Sequence, residues 1–195
     1  MKAVLISIQP KGCELIASGK KTIEVRKTRP KLEVPFKCYI YCSLQGSNEF
    51  FREVCKGDIA EWNKSGIALK KGKVVGEFIC DYIYDTETIL LEGADREITM
   101  HDFRKMSLLS GKELNEYSKG AFLYGWHISD LVIYDKPREL SEFYRECEEP
   151  ECEGCTYLRF ENTPNSYEGW CEFDEKIPIK RPPQSWCYVE KGSAE

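Results

Sequence analysis

The chain opens with an unbroken apolar run, Ala3 to Ile8 (AVLISI), stopped at once by Gln9-Pro10-Lys11. A run that short predicts a buried first β-strand rather than a secretory signal. Pro10 stands where a helix can begin, because the first turn has no use for its missing N–H. Residues 11–18 (KGCELIAS) give about two helical turns, with Cys13, Leu15 and Ile16 as the apolar cluster and Gly19 as the C-terminal cap. Residues 22–26 (TIEVR) then alternate. Ile23 and Val25 share one face of a strand, and Thr22, Glu24 and Arg26 share the other.

Further strands are predicted at 36–43 (FKCYIYCS) and at 73–89, the latter as one long strand or a bent pair, rich in β-branched and aromatic residues. Residues 49–63 have helical character in their first part, with Gly57 as an interruption. Two short helices follow, MHDFRKMSLLS and KELNEYSK, with Thr99 and Ser110 or Gly111 as their caps. Residues 122–137 read as a strand, apolar on both faces, ended by Asp135 and Pro137. The last strand is PPQSWCYVE. Several short strands mixed with helices predict an α+β fold built on a small twisted barrel. No internal repeat or low-complexity linker interrupts it.

Residues 141–187 break this pattern. Aliphatic residues become scarce, while cysteines and prolines accumulate. The chain therefore divides into a barrel over 1–140, a cysteine-rich insertion over 141–180, and a final strand and tail over 181–195. Within the insertion, Cys147, Cys152, Cys155 and Cys171 are spaced C-x4-C-x2-C-x15-C, with Cys187 as an alternative fourth member. A C-x2-C turn, eased by Gly154, brings two thiolates to one ion, and a second pair completes a tetrahedron. Metal binding supplies folding free energy, on the order of 10 kcal/mol, to a segment with no apolar core of its own. The expectation is a closed, structural zinc site. A redox C-x2-C lacks its βαβ setting, and the spacing fits neither standard ferredoxin pattern. Cys13, Cys38, Cys42, Cys55 and Cys80 lie in apolar surroundings and read as core thiols. Reduced thiols and the absence of a signal segment make the cytoplasm the expected compartment, and no apolar run reaches the roughly 20 residues of a membrane helix.

Ten cysteines and a net charge of −5 describe the whole chain. The charge is unevenly spread. Residues 20–31 (KKTIEVRKTRPK) carry six cations, Lys20, Lys21, Arg26, Lys27, Arg29 and Lys31, against Glu24. Residues 139–153 carry seven glutamates against Arg145, which read as a solvated face. Overall acidity disfavours long duplex nucleic acid, whose phosphates demand an excess of Lys and Arg.

The run S-G-K-K-T-I-E-V-R resembles the signature of the ASCH family, G-x-K-x-x-E-x-R, through Gly19, Lys21, Glu24 and Arg26. The preceding strand and Gln9-Pro10, the later Trp126-His127-Ile128-Ser129 with IYDKP, and the closing PPQSWCYV are also similar to that family. The likeness spans most of 3–140 and the last strand. It implies a PUA-like barrel with a cleft beside the first helix, and binding of RNA, a nucleotide or a modified nucleoside. One branch hydrolyses acetylcytidine with a lysine and a threonine; here Glu24 stands at that threonine's place, and Lys21 is kept. Ribonucleases also belong to the family. The implied ligand-binding set is Gln9, Lys20, Lys21, Glu24, Arg26, Trp126 and His127.

The residue chemistry agrees with those roles. Lys21 and Arg26 suit phosphate or carbonyl oxygens, and Glu24 suits an exocyclic amine or the positioning of Arg26. A surface ion pair is the competing reading of Glu24. Tyr124, Trp126 or Trp186 can stack on a base, although core packing is the commoner fate of such rings. Three functions stand open: a nucleotide- or RNA-binding module, a hydrolase using Lys21 and Glu24 as an acid/base pair, and a protein-interaction module acting through the zinc segment.

Overall fold

The computed structural model describes residues 2–44, 71–91, 98–146 and 176–191. The expected helix at 49–63, Cys55, and the proposed ligands Cys147, Cys152, Cys155 and Cys171 lie outside the described residues.

The architecture is mixed α+β, with two sheets and short helices. The larger sheet contains seven strands. Its centre is β1 (Ala3–Ile8), parallel to β3 (Phe36–Cys42) on one side. Beyond β3 lie β4 (Val74–Cys80) and the edge strand β7 (Ser129–Arg138). On the other side of β1 come β10 (Trp186–Lys191), β8 (Phe143–Glu146) and β9 (Lys176–Pro178). The smaller sheet has β6 (Tyr124–His127) between β2 (Ile23–Arg26) and β5 (Ile83–Asp85). The ends of the predicted insertion, β8 and β9, are thus strands of the large sheet.

Among the described residues neither sheet closes on itself, so the expected closed barrel is corrected to two sheets joined at corners. The chain turns such a corner at Asp81–Tyr82, between β4 and β5, and another at Ile128, between β6 and β7. The backbone N–H of His127 donates to the Tyr82 carbonyl at 2.9 Å, and that of Ile128 to the Thr22 carbonyl at 2.9 Å, tying the corners together. The predicted strand over 73–89 is therefore the bent pair, followed by α2 (Thr86–Leu91). The predicted strand over 122–137 is two strands, and it does not end at Asp135 or Pro137. β7 runs on to Arg138, which pairs with Val74. Proline is tolerated there because β7 is an edge, where a missing N–H breaks no ladder.

Helix α1 (Pro10–Ala17) starts at the proline and ends as its sequence requires. Gly19 adopts φ +71°, and the N–H groups of Gly19 and Lys20 close back on the carbonyls of Ile16 and Leu15. This is a Schellman stop, which only a residue without Cβ enters at no steric cost. It turns the chain sharply enough that Lys21 begins a new direction into β2. The helices α3 (Met100–Ser107) and α4 (Gly111–Ser118) each carry a reciprocal capping box, Thr99 with Asp102 and Ser110 with Glu113.

Cores lie on both sides of β2. Ile23 and Val25 pack with Ile89, Phe103, Leu114 and Leu123 beneath the helices. On the other side, β1, β3, β4, α1 and Trp126 form the largest cluster, which holds Cys13, Cys38, Cys42 and Cys80. These four thiols are core residues, as expected. Burial drives the thiols of Cys13 and Cys38 well up, and that of Cys80 to about 12, so all three are neutral.

Candidate functional site

Every residue of β2 is buried. The period of two sends Ile23 and Val25 into the helical core, and it sends Glu24 and Arg26 to the other face. On that face Arg26 reaches the end of β1. Glu24 and Arg26 are consequently not a surface pair. Lys21, Glu24 and Arg26 are only 7%, 7% and 9% exposed.

The three form one ion cluster. One Glu24 carboxylate oxygen accepts from Arg26 Nη2 at 3.0 Å, and the other faces Lys21 Nζ at 3.4 Å. Both cations also donate to backbone carbonyls. Lys21 Nζ reaches the Ser107 carbonyl at 2.9 Å, at the C-terminus of α3, where the helix dipole favours a cation. Arg26 Nη2 reaches the Ser7 carbonyl on β1 at 2.6 Å. The cluster thus staples α3, β2 and β1 together. Two cations on one carboxylate leave it with one surplus positive charge. Sequence reasoning missed Ser7 and Ser107, because a backbone carbonyl carries no side-chain signal.

Trp126 stands directly opposite Glu24 in the β2–β6 register, so its indole lies on the same face. It is fully buried, with Phe36 at 5.9 Å and Trp186 at 5.8 Å between ring centroids. Core packing is its position, as the apolar strand predicted. Its Nε1, however, has no hydrogen-bond partner, and neither has Arg26 Nε. Among the described residues these are the two buried side-chain polar atoms left unsatisfied. Leaving such a donor unpaired costs about 1–3 kcal/mol.

The other residues of the expected ligand set fall elsewhere. Gln9 is exposed at the start of α1, and its side chain makes no capping bond. Lys20 is exposed and lines a depression of about 630 Å³ with Thr22, Asp102, Lys105 and Met106. His127 follows Trp126 on the strand and so lies on the opposite face, where it does not meet the triad. Its Nδ1 is 2.7 Å from Asp81 Oδ1, and its ring abuts Tyr84. Burial pushes the Asp81 carboxyl up, but hydrogen bonding with His127 and the imidazole's charge outweigh this and hold it below the usual carboxylate range. Cys187, the alternative metal ligand, is half-buried on β10 beside an apolar cluster, and burial raises its thiol to about 11. Among the described residues no group of three or more His, Cys, Asp or Glu side chains is placed to hold a metal ion, and no helix is long and apolar enough to cross a membrane.

Fold and site together define a two-sheet α+β domain with a desolvated, net-cationic triad where its sheets meet. The chain matches no protein-family model and no curated protein. It is similar to solved structures of ASCH from Zymomonas mobilis. One is 18% identical, with 71% of this chain and 73% of that chain covered, at a TM-score of 0.47. A tyrosine-to-phenylalanine mutant of that protein gives 19% identity, 72% and 77% coverage and a TM-score of 0.45. A serine-to-alanine mutant gives 15%, 97% and 89%, and 0.47.

Proposed function

We propose that this chain is a nucleotide- or RNA-binding module of the ASCH type, whose ligand offers acceptor oxygens to Arg26 and Trp126. The observation that carries the reading is the pair of buried, unpaired donors on the face that also holds the surplus charge. A buried donor without a partner is costly, and a net positive charge out of water is costlier still. A phosphate or a base carbonyl answers both, since it supplies acceptors and, as phosphate, the missing negative charge. The resemblance of Gly19, Lys21, Glu24 and Arg26 to the ASCH signature points the same way. Neighbouring rings, Trp186 above all, give a base a surface to lie against.

Titration of nucleoside monophosphates and short RNAs tests this on wild type and two conservative variants. Trp126→Phe removes one donor and keeps a ring; Arg26→Lys removes the other and keeps the charge. Each is expected to weaken binding by about 5- to 100-fold, the equivalent of one lost hydrogen bond in a buried site. Wild type that binds none of the probes, or variants that bind as well as wild type, would overturn the reading.

A hydrolase is the second reading, favoured by the placement of an ammonium, Lys21, 3.4 Å from a carboxylate, Glu24, two groups able to give and take protons. Turnover of a modified nucleoside or RNA by wild type, abolished in Lys21→Met, establishes it. The cysteine spacing at 147–171 supports a structural zinc site, which we propose as a separate element of the protein.

A further inference from the structure

Residues 27–31, which leave β2 ahead of Glu33, carry three cations and no acid, Lys27, Arg29 and Lys31, in a chain whose net charge is −5. All three residues are exposed. The segment is held against the surface at two points. Trp186 Nε1 donates to Thr28 Oγ1 at 3.0 Å, and the Lys31 backbone N–H donates to the Tyr188 hydroxyl at 2.7 Å. Its cations lie over rings: Lys27 Nζ is 5.1 Å from the centroid of Tyr117, and the Arg29 guanidinium is 5.8 Å from that of Tyr124. Lys2 Nζ sits 4.8 Å from Tyr188 in the same way. The rings continue inward. Tyr188 meets Trp186 at 5.5 Å, and Trp186 meets Trp126 at 5.8 Å. A ladder of aromatic rings therefore runs from the unpaired Trp126 Nε1 to the surface, edged by a fixed row of positive charge.

We infer that this strip is the path of a single-stranded polynucleotide, one nucleotide of which is inserted to meet the Arg26 and Trp126 donors; the inference rests on the proposed function. The chemistry of the strip fits such a chain on both counts. Phosphates pair with Lys27, Arg29, Lys31 and Lys2. Bases take the places of these cations on the ring faces, which accept any base because each base has a π surface. A duplex does not fit, because its bases are stacked on one another and present no free face. The acidity of the rest of the chain confines the polyanion to this row.

The test compares a nucleoside monophosphate with a single-stranded RNA of roughly a dozen nucleotides, on wild type and on Lys27→Glu/Arg29→Glu/Lys31→Glu. The substituted side chains are exposed, so circular dichroism and thermal unfolding of the variant are expected to match wild type. Wild type is expected to bind the oligomer at least 10-fold more tightly than the monophosphate. The triple variant is expected to lose that advantage while keeping its monophosphate affinity. Its slope of log affinity against log salt is expected to fall by about 2, the release of three counterions from a single strand. The same oligomer as DNA identifies which sugar the strip takes, and tight binding of either supports the inference. Equal affinity for oligomer and monophosphate in wild type, or undiminished oligomer binding in the variant, overturns the strip but leaves the proposed Arg26–Trp126 contact standing. Oligomer binding lost in the triple variant, with monophosphate binding undiminished in Trp126→Phe, separates the two in the opposite sense.

Discussion

Glu24 holds Arg26 at 3.0 Å through one carboxylate oxygen and Lys21 at 3.4 Å through the other, so a single acid is the negative corner of a buried triangle with two cations. Removing it leaves two cations facing each other out of water. Glu24→Gln is therefore expected to destabilise the fold by about 3–5 kcal/mol, the usual cost of breaking a buried pair from one side. Lys21→Met removes the surplus charge instead and leaves the Glu24–Arg26 bond intact, so it is expected to cost clearly less. Urea unfolding of the two variants checks the ranking. Equal losses would mean that the triad is solvated enough to behave as a surface network.

Gly125 sits between β2 and α3 where no side chain fits. A Cβ there would stand 2.5 Å from Phe103 Cε2 and 2.7 Å from Ile23 Cγ2. Both neighbours are fully buried, so neither can swing away. Gly125→Ala is expected to cost about 1–3 kcal/mol through overpacking. Because Ile23 is next to Glu24 on β2, the displacement is also expected to weaken nucleotide binding. Chemical denaturation and titration of the same sample measure both effects.

How much of this was legible beforehand follows from what each feature depends on. Local chemistry was readable: Pro10 and Gly19 delimit α1, Thr99 and Ser110 cap their helices, and the alternation of TIEVR places Glu24 and Arg26 together. The burial of that face was not readable. It comes from partners distant in the chain, the Ser7 carbonyl on β1 and Trp126 on β6, and such pairings are long-range facts. The corner at Ile128 was also hidden, because an apolar run looks the same whether straight or bent. His127 was grouped with the site by its neighbour Trp126, yet adjacent strand residues face opposite ways, and it pairs with Asp81 instead.

Acid stability is expected to depend on three carboxyls held below their usual range. For Asp81 burial opposes the shift, and hydrogen bonding to His127 wins; for Asp102 and Glu113 the capping hydroxyls of Thr99 and Ser110 are the leading cause. A carboxyl depressed by folding contributes stability above its unfolded value, near about 4, and loses it as pH falls through the folded value. The thermal midpoint is thus expected to decline as pH drops below about 4. Asp81→Asn/Asp102→Asn/Glu113→Gln is expected to start lower at neutral pH and to decline less steeply. Parallel curves for the two proteins would show that other carboxyls govern the acid limb.

Zinc is the remaining expectation with a direct measurement. Thiolate ligands must lose protons to bind, so metal affinity falls with pH, and a chelator competes best in mild acid. Elemental analysis of purified protein is expected to give about one zinc per chain, the stoichiometry of a four-thiolate structural site. Cys152→Ser/Cys155→Ser breaks the C-x2-C pair and is expected to abolish it. Cys187→Ser is the discriminating control. Its thiol is raised to about 11 by burial and packs against an apolar cluster, so its loss is expected to leave zinc content unchanged and to identify Cys171 as the fourth ligand. Zinc retained in the double variant would place the metal on other residues. Zinc lost in Cys187→Ser would instead draw β10, and with it the end of the aromatic ladder, into the metal site.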